Sequence, residues 1–229
     1  MVQVNQTKLF LRFKFIKRGS LQYISHLDLV RTMHKVIVRA KRPLWYTEGF
    51  NPKPKMIFAA PLSIGTESDC EYMDLRMSEY IDPAEAMARI NANMTSEMQI
   101  TEAYYPESKF TELKWMSYRI IFGSDSVSDG LVENCNNAFA AERIEVQKKN
   151  SEQTVDIRPL IRSAIARREG SELVIDAVLS ADPSAFLNPE YLVKYLKDKC
   201  GILSAPTLTD EYYGINRQNA YFADMTEFR

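Results

Sequence analysis

At 229 residues the chain is long enough for one large domain or two small ones, and 45% hydrophobic with 26% charged side chains is ordinary globular composition. No apolar run nears the roughly 20 residues that span a bilayer, and the N-terminal stretch has neither the apolar core nor the cleavage site of a secretory leader. Cys70, Cys135 and Cys200 are odd in number, widely spaced and without C-x-x-C pairs, which argues against a disulfide framework, a zinc site or a cysteine-held cluster. A cytoplasmic protein with free thiols, without cofactor or metal, is the expectation.

The net charge of -1 conceals an asymmetry. Residues 1–60 carry twelve Lys and Arg against only Asp28 and Glu48, while the remaining 169 residues carry eleven net negative charges. A basic segment on an acidic protein points to a polyanion or an acidic partner. The plain alternative is that these cations pair with the acidic remainder in the fold.

In chain order, residues 8–17 (KLFLRFKFIK) alternate, with Leu9, Leu11, Phe13 and Phe15 on one face and Lys8, Arg12 and Lys14 on the other, the pattern of a half-buried strand ended by Gly19-Ser20. Ser25 stands three residues before Asp28, a capping-box-like pair that opens a helix. Leu27, Val30, His34, Ile37 and Val38 recur at helical spacing as its apolar stripe, and Pro43 stops it. Residues 44–48 and 55–62 read as strand around a Gly-Phe-Asn-Pro-Lys-Pro loop, and 70–77 alternate as another strand. Within that strand region Asp69, Glu71 and Asp74 look like a solvated face. Asp82-Pro83 caps a helix to about Asn93, and 97–105 form a last strand. The order β-α-β-β-α-β is that of the ferredoxin-like split βαβ arrangement.

The order repeats. Residues 115–122 are a strand, 128–141 a helix, 143–148 and 153–161 strand, 172–180 strand, a helix follows Asn188-Pro189 to Lys199, and 207–215 are the closing strand. Residues 149–170, with Arg162, Arg167 and Arg168, read as a helical or irregular insertion. The expected fold is therefore α+β, with two tandem ferredoxin-like (βαββαβ) subdomains at 1–110 and 111–229, antiparallel sheets with helices on one face.

Two histidines are present. His26 falls at the first helical position, where the positive end of the helix dipole favours a neutral imidazole that could act as general base. An exposed residue beside the cap is the blander reading. His34, within the apolar stripe, reads as a core histidine. The stretch Thr47-Glu-Gly-Phe-Asn-Pro-Lys-Pro-Lys55 carries the more specific signal. Gly49 permits positive φ, Pro52 and Pro54 stiffen the chain around Lys53 and Lys55, and Trp45, Tyr46 and Phe50 offer stacking faces beside those lysines. Stacking faces with adjacent cations suit single-stranded nucleic acid. A plain hairpin connection with inward aromatics is the competing account. No P-loop, GxGxxG, HExxH or nucleophile elbow occurs.

At these residues the chain is similar to a known family. SHLDLVR at 25–31, YTEGFNPKPKMIFAAPLSIGTES at 46–68, EYMDL at 71–75 and VDIRPLI at 155–161 resemble the uncharacterised DUF2344 family, also called the radical SAM-linked protein family. The likeness covers nearly the whole chain and is densest over 23–75. The motif residues are Ser25, His26, Leu27 and Asp28, then Gly49, Phe50, Asn51, Pro52 and Pro54, then Gly65 and Glu67. Such domains occur beside or fused behind radical SAM proteins, so the resemblance implies a radical SAM enzyme as partner. This chain lacks the CxxxCxxC cysteines of that enzyme, and the family supplies no catalytic residues.

The first expectation is a non-catalytic substrate-recognition module for that partner, binding RNA or another anionic substrate. In it Arg39, Arg42, Lys53 and Lys55 meet phosphates, Tyr46 or Phe50 stacks, and Asn51 hydrogen-bonds a base or backbone. The alternatives are a metal-independent, endoribonuclease-like RNA-processing protein using His26, and a protein–protein assembly module without nucleic-acid affinity.

Overall fold

The computed structural model describes residues 9–41, 43–124, 127–148, 152–204 and 211–229. The chain divides into two compact units, one running to Phe110 together with Arg229, the other Thr111–Phe228. Both are α+β, every strand pairing within them is antiparallel, and the described residues form four α-helices. No helix among the described residues is long and apolar enough to cross a membrane.

The first unit contains strand β1 (Phe10–Lys17), helix α1 (His26–Arg39), the short strand β2 (Met56–Phe58), strand β3 (Thr66–Arg76), helix α2 (Pro83–Asn91) and strand β4 (Ile100–Tyr104). The strands lie in the order β4-β1-β3-β2. Leu11, Phe13 and Phe15 of β1 and Met73 and Leu75 of β3 meet Leu29, Met33, Val36 and Ile37 of α1 and Ala86 and Ile90 of α2 in one core.

The buried face of α1 differs from the expected stripe. Leu29, Met33, Val36, Ile37 and Ala40 are buried, whereas Leu27 and Val38 lie on the exposed side. Met33 and Ala40 complete a stripe spaced i, i+4, i+7, i+8, i+11 that fits the helical period better than one built on Leu27. Ala40 closes the helix and Lys41 turns into positive φ, so the helix ends before Pro43.

The acidic strand face is also corrected. Asp74 is buried and paired with buried Arg12, its direct cross-strand partner on β1. Glu71 is likewise buried, and only Asp69 stays at the surface, where it pairs with Arg18 at 2.7 Å. Alternation with charged residues reads as a wet face only when nothing covers it. Here Phe110 lies 4.3 Å beneath the Arg12 guanidinium, and Ser108 accepts from it at 2.8 Å.

The second unit contains β5 (Trp115–Ser124), α3 (Asp129–Phe139), β6 (Glu145–Gln147), β7 (Thr154–Asp156), β8 (Ile161–Glu169), β9 (Glu172–Ser180), α4 (Glu190–Cys200) and β10 (Glu211–Tyr221). Four of these strands lie in the order β10-β5-β9-β8, and β6 with β7 forms a separate two-stranded ribbon. Residues 161–169, expected as a helical or irregular insertion, are thus the outer strand β8. Strands β6 and β7 are the piece that stands apart from that sheet. The β8–β9 connection is a tight turn at Gly170, φ +62°, with Glu169 opposite Glu172. The closing strand runs further than expected, to Tyr221, and the expected start at 207–210 lies outside the described residues.

Candidate nucleic-acid interface

The helix α1 is positioned by its N-terminus. Ser25 Oγ accepts from the Asp28 backbone N–H at 3.1 Å and donates to the Asp28 carboxylate at 2.7 Å. That hydroxyl, and then Arg31 at 3.2 Å, hold the Asp28 carboxyl below its ordinary range. Two further motif residues anchor the turn that leads into the cap. The Gly65 N–H donates to the Gln22 carbonyl at 2.9 Å, and Glu67 accepts from the Gly19 N–H at 2.7 Å. Ser25, Asp28, Gly65 and Glu67 therefore act on the entry to α1 and are engaged within the fold.

His26 follows the cap and is half-buried, its ring edge-on to Phe58 of β2 at 5.5 Å. Phe58 in turn packs against Phe15 at 6.4 Å. Among the described residues no side chain hydrogen-bonds the His26 ring, and its packing on Phe58 is what orients it.

The loop closes on itself. Tyr46 bridges Pro54, the Thr47 N–H donates to the Lys53 carbonyl at 2.9 Å, and the Lys53 N–H donates to Thr47 Oγ1 at 3.1 Å. Below that neck the Lys55 N–H donates to the Trp45 carbonyl, and the Trp45 N–H to the Arg76 carbonyl of β3. Pro54 is buried in the stem. Gly49 adopts φ +120°, and Phe50 beside it is exposed as fully as a side chain can be (112%). Asn51, Pro52, Lys53 and Lys55 are exposed as well, and Tyr46 is 42% exposed. Trp45 does not join this set, because the Arg76 guanidinium covers its ring at 3.9 Å.

The loop and α1 approach one another. His34 is half-buried, and burial, then the charge of Lys53, pushes its pKa down. Lys35 and Arg39 lie on the exposed side of the helix. His26 sits about 12 Å from His34 along the helix axis, at a rise of 1.5 Å per residue. The structure thus sets Lys53 close enough to α1 for its charge to act on His34, and His26 packs on β2 through Phe58. Arg42 lies outside the described residues.

The basic segment divides in two. Arg12, Lys14, Arg18 and Arg31 pair with Asp74, Glu102, Asp69 and Asp28. Lys35, Arg39, Lys41, Lys53 and Lys55 have no carboxylate partner among the described residues. Sequence reading missed Tyr23 and Ile64, which are 67% and 61% exposed near the start of α1, beside exposed Leu27. Ile64 lies inside the 46–68 string and Tyr23 two residues before the 25–31 string, so their exposure beside motif residues is the signal that could have marked them.

A chain of a Cbf5-Nop10-Gar1 complex is similar in fold, with TM-score 0.51 and 8% identity over 92% of this chain and 48% of that one. The chain thus spans about half the length of that relative, and at this identity the likeness extends to the fold alone. An unknown protein from Galdieria sulphuraria (TM-score 0.26, 8% identity, 92% and 99% covered) and a putative glycine cleavage system transcriptional repressor (0.24, 10%, 92% and 97%) are too distant to carry an argument. No curated protein matches the chain. Residues 11–189 match the family described as "Uncharacterized protein conserved in bacteria (DUF2344)", and the chain belongs to that family.

Proposed function

We propose that the chain is a non-catalytic recognition module that holds single-stranded RNA through the 46–55 loop and the basic side of α1, for a radical SAM enzyme acting in trans. The observation that supports this most directly is the fully exposed Phe50 at the tip of a closed loop, flanked by Lys53 and Lys55 without carboxylate partners. Phe50, with Tyr46 beside the neck, offers a face to a base, while Lys53, Lys55 and Arg39 face phosphates. Asn51 at the tip presents both donor and acceptor to a base edge. Cations left unpaired by the protein's own acids lose little on meeting phosphate, and counterions released from the nucleic acid favour the encounter.

The partner enzyme rests on the family resemblance. Tyr23, Leu27 and Ile64, around the start of α1, are an apolar surface suited to it. We read each unit as ferredoxin-like, since β4-β1-β3-β2 and β10-β5-β9-β8 are the same antiparallel order reached through the same alternation of strands and helices. On that reading the second unit carries the 145–156 ribbon as an insertion.

The experiment is a fluorescence-anisotropy titration with mixed-sequence single-stranded RNA at about 50 and 200 mM salt. Affinity is expected to fall steeply between the two, and the Lys53→Ala/Lys55→Ala variant to bind more weakly with a flatter salt dependence. Absence of binding at either salt, or an unchanged slope in the double variant, overturns the proposal.

A further inference from the structure

The second unit holds a pair of thiols that sequence spacing keeps far apart. Cys135 on α3 is fully buried, and Cys200 is the last residue of α4. The helices are fastened side by side, with the Tyr195 hydroxyl of α4 donating to the Ala138 carbonyl of α3 at 3.0 Å. Within that contact the Cys135 and Cys200 thiols are close enough to act on one another's titration, and Asn134 and Asn137, on either side of Cys135, line the same groove as Cys200. The two sulfurs are unequal in access. Cys200 is half-buried and lines an open groove of about 770 Å³ with Asn134, Asn137, Arg143, Tyr195 and Lys199. Cys70, the third cysteine, is buried in the other unit.

We propose that Cys135 and Cys200 are an oxidative modification site, which a peroxide entering the groove converts to a disulfide linking α3 to the end of α4. The Cys200 sulfur attacks the peroxide O–O bond, giving the sulfenic acid and one water. The Cys135 sulfur then attacks the Cys200 sulfur, displacing the hydroxyl as a second water and forming the S–S bond. Two thiols are oxidised by two electrons, and one hydrogen peroxide is reduced to two waters. Bringing the two neighbouring thiols into disulfide geometry calls on the end of α4 to adjust. What is needed is available at Gly201, which ends α4 in the left-handed region at φ +70°. Burial raises the pKa of both thiols, so they react with excess peroxide rather than as a trace sensor. The inference does not depend on RNA recognition, since none of these residues belongs to the 46–55 loop or α1.

The test treats the native full chain with hydrogen peroxide, then alkylates it under denaturing conditions for intact-mass and peptide analysis. The expected result is loss of the mass of two hydrogens, a Cys135–Cys200 cross-linked peptide, alkylated Cys70, a raised Tm, and full reversal by dithiothreitol. In Cys135→Ser, Cys200 is expected to stop at the sulfenic acid, trapped by dimedone. A wild-type protein whose Cys200 proceeds to the sulfinic acid while Cys135 remains alkylatable overturns the proposal, as does a cross-link through Cys70 or between chains. The wild-type peptide map decides even if the variant fails to fold.

Discussion

Asn136, on α3, holds Ala166 in the outer strand β8 by both of its backbone groups. Its Nδ2 donates to the Ala166 carbonyl at 3.0 Å and its Oδ1 accepts from the Ala166 N–H at 2.9 Å. Asn91, at the end of α2, does the same to Ile100 on β4, with both bonds at 2.8 Å. Each asparagine mimics a neighbouring strand and occupies the outer backbone of its unit's edge, where an unpaired ladder invites another chain. Asn136→Ala should cost about 1–3 kcal/mol, for two backbone groups left without partners, and promote association. Urea unfolding and light scattering check it. An unchanged unfolding midpoint would leave Asn136 without the assigned role.

The same outer strand marks the limit of what the sequence discloses. Strands with one clean apolar face, such as Leu11, Phe13 and Phe15 in β1, are legible because their period matches a buried face. In β8 only Ile161 and Ala166 are buried, while Arg162, Ser163, Ile165 and Arg168 are exposed, so no two-residue period survives. The turn Gly170-Ser171 before β9 is the local signal that could have placed it. At the candidate interface the caps and the glycine–proline loop are legible because backbone chemistry demands particular residues. Which cations pair is not legible, because Arg12 and Asp74 stand 62 residues apart and only the β1–β3 register joins them.

That pair gives the second prediction. Arg12 Nε and Nη2 donate to the two Asp74 oxygens at 2.7 and 2.9 Å, and Arg12 is fully buried. Asp74→Ala should destabilise the protein by about 3–5 kcal/mol by stranding a buried guanidinium. Burial raises the Asp74 pKa despite the pull of Arg12. The folded state thus takes up this proton more readily than the unfolded one. The resulting stability is complete below the ordinary value of 3.8 and fades as pH rises through the folded value. Relative to Asp74→Asn, wild type should therefore gain stability on acidification across that interval. Chemical unfolding of both proteins over the acid range measures it, and a difference that does not change with pH would refute it.

Phe50 separates binding from folding. Its side chain is wholly exposed, so Phe50→Ala should leave Tm within a degree or so, as surface substitutions usually do. RNA affinity should drop by about five- to 150-fold, the loss of one stacked base at roughly 1–3 kcal/mol. Phe50→Tyr keeps the ring and should bind as wild type. Equal affinities for the alanine and tyrosine variants would remove Phe50 from the interface.

His34 reports on Lys53 from inside the fold. Burial first, and the lysine charge second, hold its pKa below the ordinary 6.5. The unfolded chain therefore takes up this proton more readily. The stability it contributes is present above 6.5 and is lost as pH falls toward the folded value. Lys53→Met should raise the His34 pKa by removing one of the two causes, and imidazole proton resonances followed by NMR titration read it directly. If RNA phosphate settles on Lys53, it neutralises the same charge, so bound RNA should raise the His34 pKa in wild type. By linkage the affinity for RNA should then increase as pH falls through the histidine's titration. In Lys53→Met that RNA-induced shift should shrink. A His34 pKa indifferent to RNA in a protein that nevertheless binds it would place the phosphates elsewhere on the basic segment, away from Lys53.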